Sequence, residues 1–432
     1  MLEYLHLKNV GPAPEMELKL GRRLNLLTGD NGLGKSFLLD VAWWALTRRW
    51  PADVNPDITS GLMARPSAPG EATIEFAFPA KSKKRHQYES TFDRQEQAWT
   101  GPKGRPANPG LVIYAQVDGG FSVWDPARNY WRTKGNVDVQ ERRPAFVFTP
   151  RQVWEGLPES GPKLCNGLIA DWALWQKEGG QLFDMLKLVL LAISPSAAEQ
   201  LTPGELRKIS LDDVRLVPTI RMPYGEDVPV LVASAGIRRA LALAYLLIWA
   251  WDEHQSASNL IEQPPTNQVT FLIDEIESHL HPRWQRSIVD SLLTLMRTMH
   301  RQAAVQLICA THSPLVMASV EPIFDASIDR WFDLDLISST KGGPMVVKLE
   351  DRPFIRRGDA SRWLTSEAFN LGSSYSIAAE KVLEEASRAL SDDAFDKARA
   401  KRLDAKLRKV LGDTDPFWMR WRFVGEKRGW LS

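Results

Sequence analysis

The apolar run Leu24-Asn25-Leu26-Leu27-Thr28 leads directly into Gly29-Asp30-Asn31-Gly32-Leu33-Gly34-Lys35-Ser36, and a helical pattern starts at Lys35 and continues into Trp43-Trp44. A buried strand, a glycine-rich loop and a helix in that order commit this part of the chain to an α/β fold. They also match the phosphate-loop pattern in full. The glycines let backbone amides turn inward around an anion, and the helix amino terminus adds its positive dipole. Lys35 is expected to reach the β and γ phosphates and Ser36 to hold Mg²⁺, with the nucleotide-binding stretch running from Gly29 through Phe37.

Three further clusters carry chemistry. Thr270-Phe271-Leu272-Ile273-Asp274-Glu275 reads as a buried strand ending in paired carboxylates. Asp274 would complete the magnesium shell begun by Ser36, and Glu275 is placed to polarise an attacking water as general base. Taken alone, the same pair could cap a helix. Leu307-Ile308-Cys309-Ala310-Thr311-His312-Ser313-Pro314 is another apolar strand ending in a polar turn, where His312 could contact a γ-phosphate. Ser234, Ala235 and Gly236 precede a long apolar helix and offer a hydroxyl and close backbone approach at its start. An ordinary helix cap by Ser234 is the alternative.

The rest of the chain organises around these clusters. Residues 2–7 and 15–18 alternate like two short strands. From about 52 to 108 the composition turns to Pro, Gly and charge around a strand at 72–78. Residues 111–118 and 121–125 flank Gly119-Gly120 as a hairpin. Residues 144–150 add a strand, so 52–150 is expected to be an antiparallel β subdomain. Residues 152–213 read as helical, including 181–193. Residues 331–337 and 344–349 read as closing strands, and the charged stretch from about 366 is helical, with amphipathic candidates at 378–390 and 396–411.

Composition narrows the function. The chain has 432 residues, 44% apolar and 25% charged, with 54 Lys and Arg against 53 Asp and Glu. No global field draws it to nucleic acid or membrane, so any DNA contact must come from a local patch. Its two cysteines, Cys165 and Cys309, lack metal-site spacing and fit a reducing compartment. The longest apolar run, 240–251, is well short of the roughly 20 residues needed to span a bilayer. A cytoplasmic protein without a membrane partner is expected.

Taken in order, the four clusters resemble the ABC-type ATPase head shared by RecF, SMC proteins, OLD-type ATPases and the PtuA-type ATPases of bacterial anti-phage systems. In that resemblance Ser234-Ala235-Gly236 corresponds to the signature core. Glu277-Ser278-His279-Leu280-His281-Pro282 corresponds to the loop at the dimer seam, and Ala310-Thr311-His312-Ser313-Pro314 to the switch-histidine turn. The resemblance implies an α/β fold, a mixed-sheet P-loop core with an antiparallel β subdomain and a helical signature subdomain, followed by a helical carboxy-terminal tail. The boundaries expected are 1–355 for the head, with 1–50 and 230–350 as nucleotide core, 52–150 as β subdomain and 152–229 as helical subdomain. The tail, 356–432, would serve interaction or dimer support.

It further implies an ATP- and Mg²⁺-dependent homodimer, or a higher even oligomer, in which Lys35, Glu275 and His312 act in catalysis and Ser234 and Gly236 act on the opposite subunit's nucleotide. A nucleotide-gated sensor with a separate effector, such as an HNH nuclease, is the function it favours. A RecF-like clamp that binds DNA itself and a weakly hydrolysing scaffold are the alternatives. The signature departs from the family pattern at Ala233, Ala235 and Ile237, which bears on catalytic speed. The glutamine that couples magnesium to the helical region is assigned to Gln152, in preference to Gln116.

Other features read as structural. His279 and His281 lack further spaced ligands for a metal. Asp333 and Asp335 alternate with apolar residues as on a strand with one solvated face. Lys81, Lys83, Lys84 and Arg85 could touch a phosphate backbone, with a solvated hairpin tip the preferred reading, and the aromatic–arginine segment from Asp415 to Trp421 suits an interface or docking on its own head.

Overall fold

The computed structural model describes residues 1–79, 86–101, 107–130, 143–158, 163–299, 303–338, 344–392 and 394–430. The basic run Lys81, Lys83, Lys84, Arg85 lies outside them. The chain divides into two compact units, Met1–Ala360 and Ser361–Ser432. Among the described residues no helix is long and apolar enough to cross a membrane.

The first unit opens with β1 (Tyr4–Lys8), β2 (Glu15–Lys19), β3 (Leu24–Gly29), α1 (Lys35–Thr47) and α2 (Pro51–Val54). β4 (Thr73–Phe78), β5 (His86–Asp93) and β6 (Ala98–Trp99) follow. Next come β7 (Leu111–Ala115), β8 (Phe121–Trp124), α3 (Pro126–Asn129), β9 (Phe146–Phe148), α4 (Pro150–Glu155), α5 (Leu168–Glu178) and α6 (Gln181–Ala192). Then β10 (Thr202–Pro203), β11 (Thr219–Arg221), β12 (Asp227–Pro229) and α7 (Ala235–Leu260) lead to β13 (Gln268–Ile273). The unit closes with α8 (Pro282–Gln285), α9 (Ile288–Met299), β14 (Ala304–Ala310), α10 (Pro314–Val320), β15 (Arg330–Ser338) and β16 (Met345–Arg352).

The central sheet has eight strands in the order β16-β15-β3-β14-β13-β7-β8-β9. Its middle, from β15 to β7, is parallel throughout. Parallel strands covered on both faces need continuous apolar runs, and β3 and β7 are buried at every residue. A second, antiparallel sheet runs β2-β1-β4-β5-β6. Here one face is solvated, and β2 alternates exposed and buried residues accordingly. α1 lies between the sheets, which is why ten of its thirteen residues are buried. Trp43 meets Tyr114 of β7 at 6.2 Å on one side, and Trp44 meets Phe76 of β4 at 6.0 Å on the other.

Three expectations are revised. The hairpin at 111–125 forms, but it extends the central sheet rather than a separate β subdomain, because five consecutive buried residues in β7 require cover on both faces. The stretch after α6 is not helical throughout: α6 ends at Ala192, three residues before Pro195, which cannot continue a helix, and β10, β11 and β12 form a small antiparallel sheet. Asp333 is not solvated. β15 runs beside β3, and the buried Asp333 carboxylate accepts the Thr28 hydroxyl at 2.7 Å. Cys165 and Cys309 are both free and buried.

The second unit is helical, with α12 (Ile377–Ser391), α13 (Lys397–Val410) and α14 (Phe417–Lys427) following α11 (Ala360–Leu364), which begins at the unit boundary. Ala386, Ala400, Leu403, Leu407, Trp421 and Trp430 form its core. The aromatic–arginine segment of the tail is therefore partly internal, with Trp421 fully buried.

Candidate functional site

The loop 29–36 joins β3 to α1, and three of its glycines, Gly29, Gly32 and Gly34, have φ of 127°, 80° and 104°. Only glycine adopts these angles without strain, and a Cβ on Gly29 would also lie 2.2 Å from the Leu334 carbonyl oxygen. Asp30, Asn31, Gly32 and Ser36 face solvent, while Leu33 is buried and Phe37 packs against the core. Lys35 is buried beneath the loop, its ammonium donating to the carbonyls of Gly29 at 2.7 Å and Asp30 at 2.8 Å. Burial lowers the Lys35 pKa, and Asp274 and Asp30 oppose that shift.

Asp274 stands at the end of β13, with its backbone N–H donating to the Ala115 carbonyl of β7. It is 1% exposed, and among the described residues neither carboxylate oxygen has a hydrogen bond of good geometry. Burial is the main influence raising its pKa, while the Ser36 hydroxyl and Lys35 ammonium pull it down. A buried carboxylate left unpaired is costly, and such groups persist where a cation is bound. A serine hydroxyl and a carboxylate are hard oxygen donors of the kind Mg²⁺ takes.

Two glutamines were candidates for a third oxygen, and the structure places them in different surroundings. Gln152 is the N3 member of a capping box on α4: its side-chain oxygen accepts the Thr149 backbone N–H at 2.8 Å and the Asn55 amide at 2.8 Å. That oxygen is fully committed to local structure. Gln116 directly follows β7, the strand bonded to Asp274. It is fully buried, and among the described residues both of its amide atoms lack partners.

Glu275 occupies the turn after Asp274 with φ of 45°, a strained angle for a residue with a side chain. Its charge acts on Lys35, Asp274, Glu277 and His312, so these groups share one neighbourhood. His312 is half-buried; burial and the nearby Lys35 lower its pKa and keep the imidazole neutral. Its backbone N–H donates to Glu277, which also accepts the Thr311 hydroxyl at 2.7 Å. Burial raises the Glu277 pKa.

Ser234 is the N-cap of α7, its hydroxyl oxygen accepting the Ile237 N–H at 3.4 Å. Ser234 and Ala235 are exposed, whereas Gly236 is buried against the 279–280 turn, where a Cβ would sit 2.5 Å from the His279 carbonyl oxygen. Among the described residues no hydrogen bond joins 234–236 to the loop 29–36. The structure thus gathers Lys35, Ser36, Asp274, Glu275 and His312.

Two residues take roles that the sequence analysis did not give them. Glu277 orders the histidine turn, and its signal was the third acid of Asp274-Glu275-Ile276-Glu277. Arg239, one turn into α7, donates to the Gln116 carbonyl at 2.8 Å and feels Asp118, Asp274 and Glu275. No local pattern separates it from the exposed Arg238 beside it.

The model of the family described as "AAA domain, putative AbiEii toxin, Type IV TA system" matches residues 24–318. The chain is 42% identical over 60 residues to the "Retron Vc95 probable ATPase" of Vibrio cholerae serotype O1 biovar El Tor. That stretch is 14% of this chain and spans only 10% of the length of that relative. Of solved structures, an SMC head bound to the C-winged helix domain of ScpA is similar with a TM-score of 0.40 at 13% identity, over 81% of this chain and 97% of that one. The recombination mediator protein RecF gives a TM-score of 0.35 at 12% identity, over 77% and 95%.

Proposed function

Because the chain belongs to the family described as "AAA domain, putative AbiEii toxin, Type IV TA system", we propose that it binds and hydrolyses ATP with Mg²⁺ and closes as an ATP-bridged dimer. The observation that carries this reading is the buried Asp274 carboxylate, which faces the Ser36 hydroxyl and the Lys35 ammonium and makes no ion pair among the described residues. Ser36 and Asp274, with Gln116, would hold the magnesium ion, which supplies positive charge against the phosphates.

The chain's own residues divide the remaining work. The 29–36 amides and the α1 amino terminus cradle the phosphates, and Lys35 balances their charge. Glu275 takes a proton from the attacking water. The neutral His312 imidazole can donate to the γ-phosphate without adding a full charge. Ser234 and Ala235, exposed at the start of α7, are available to a second copy's nucleotide, which supports the dimer.

The family description names a toxin–antitoxin system, and the Vibrio relative is named for a retron. Both support a cytoplasmic, nucleotide-gated switch in bacterial anti-phage defence that works with a separate effector, such as a nuclease of the HNH type.

ATP turnover by the purified chain tests the reading. Lys35→Ala should lose ATP binding and turnover together. Glu275→Gln should keep binding, stall hydrolysis and accumulate dimer on a sizing column. Turnover by Glu275→Gln at the unmodified rate would remove it as the base. Equal turnover by the unmodified chain and Lys35→Ala would sink the ATPase and leave a scaffold.

A further inference from the structure

With a net charge of +1 for the whole chain, attraction to a polyanion requires a local concentration of cations. α13 supplies one. Its sequence KARAKRLDAKLRKV holds seven Lys and Arg against a single acid, Asp404. Ala400, Leu403 and Leu407 are buried and pack into the core of the second unit. Helical spacing places Ala398, Arg402, Ala405 and Lys409 opposite that buried stripe. Lys401 and Lys406 flank them on either side, and all six are exposed.

Asp404 does not interrupt this outward arc. It is half-buried, accepting the Trp421 indole N–H at 3.0 Å and the Arg408 guanidinium at 2.8 Å. Arg399 pairs with Asp396 and Lys406 with Glu385. Lys397, Lys401, Arg402 and Lys409 make no ion pair among the described residues. A protein-binding face would carry an apolar centre, and this arc has only alanines there. Those small side chains let the helix backbone approach a charged rod closely. At 1.5 Å per residue the 14 residues of α13 extend about 21 Å, a length over which one DNA strand presents about six phosphates.

We propose that the outward arc of α13 binds the phosphodiester backbone of nucleic acid without regard to sequence. The inference stands apart from the ATPase reading, since it uses none of the nucleotide-site residues.

The test measures affinity of the full chain for a labelled DNA duplex across a series of NaCl concentrations, with and without ATP. Replacing Lys401, Arg402, Lys406 and Lys409 together by Gln should reduce the slope of log K against log salt by about 3 to 4, at roughly 0.9 per phosphate contact. The loss should be equal on two unrelated duplex sequences. Exchanging Lys for Arg and Arg for Lys at the same four positions should restore the slope. Replacing the exposed Lys8, Arg22, Lys177 and Lys208 by Gln removes the same charge and should leave it unchanged. The proposal is overturned by an unaltered slope in the α13 variant, by no salt-dependent duplex binding in the unmodified chain, or by binding to phosphatidylserine vesicles but not to duplex.

Discussion

Glu277 accepts the backbone N–H of His312, and the same carboxylate takes the Thr311 hydroxyl at 2.7 Å. The turn that presents the imidazole is therefore tied to the turn that presents Asp274 and Glu275. Glu277→Ala leaves the His312 N–H and the Thr311 hydroxyl without their acceptor. We expect ATP turnover to fall at least tenfold while ATP binding stays within a factor of about three, because positioning rather than phosphate contact is lost. Equal losses in binding and turnover would refute this division of labour.

The two glutamines should separate cleanly. Gln116→Leu replaces an unpaired buried amide, so its folding stability should hold or rise, while the magnesium concentration needed for half-maximal turnover increases. Gln152→Ala removes half of a capping box and should cost about 1 kcal/mol of stability with turnover unchanged. Magnesium titrations and urea melts of both variants check this, and a reversed pattern would return the metal role to Gln152.

Asp40 of α1 accepts the Tyr114 hydroxyl at 2.9 Å, and burial raises its pKa from 3.8 to about 7. Between those values the folded state holds more protons than the unfolded one. Stability should therefore fall as pH rises from about 4 to 7, by at most about 1.4 kcal/mol per pH unit. Asp40→Asn cannot ionise and should flatten that slope, gaining on the unmodified chain most at pH 8. Parallel melting curves against pH for the two proteins would contradict it.

Gly236→Ala places a Cβ 2.5 Å from the His279 carbonyl oxygen, a backbone atom that cannot swing aside. Displacing the 279–280 turn should cost about 1 to 3 kcal/mol. Ala235→Ser, one residue earlier and exposed, should be neutral. Thermal melts of the two variants should differ by several degrees, and indistinguishable melts would show that the contact yields freely.

Much of the site was legible before any fold was known. The strand, glycine loop and helix at 24–47, the acidic end of β13 and the polar end of β14 are each built from neighbouring residues. Their evidence is local: apolar continuity for a buried strand, glycine where φ must be positive, and polar groups where the strand stops. The cap at Ser234 was legible for the same reason.

Pairing between distant segments was not. In sequence Gln152 follows the strand at 144–150 whereas Gln116 falls inside the hairpin strand at 111–118, and local reading therefore favours Gln152. The parallel alignment of β7 with β13 brings Gln116 to the side of Asp274, while Gln152 caps its own helix through the local Thr149–Gln152 box. The same alignment drew β7, β8 and β9 into the central sheet, and the alignment of β15 with β3 buried Asp333. Local sequence set what each segment could become, whereas which segments share a hydrogen-bonded edge depends on burying both faces of the sheet at once, a condition that no single stretch of chain contains.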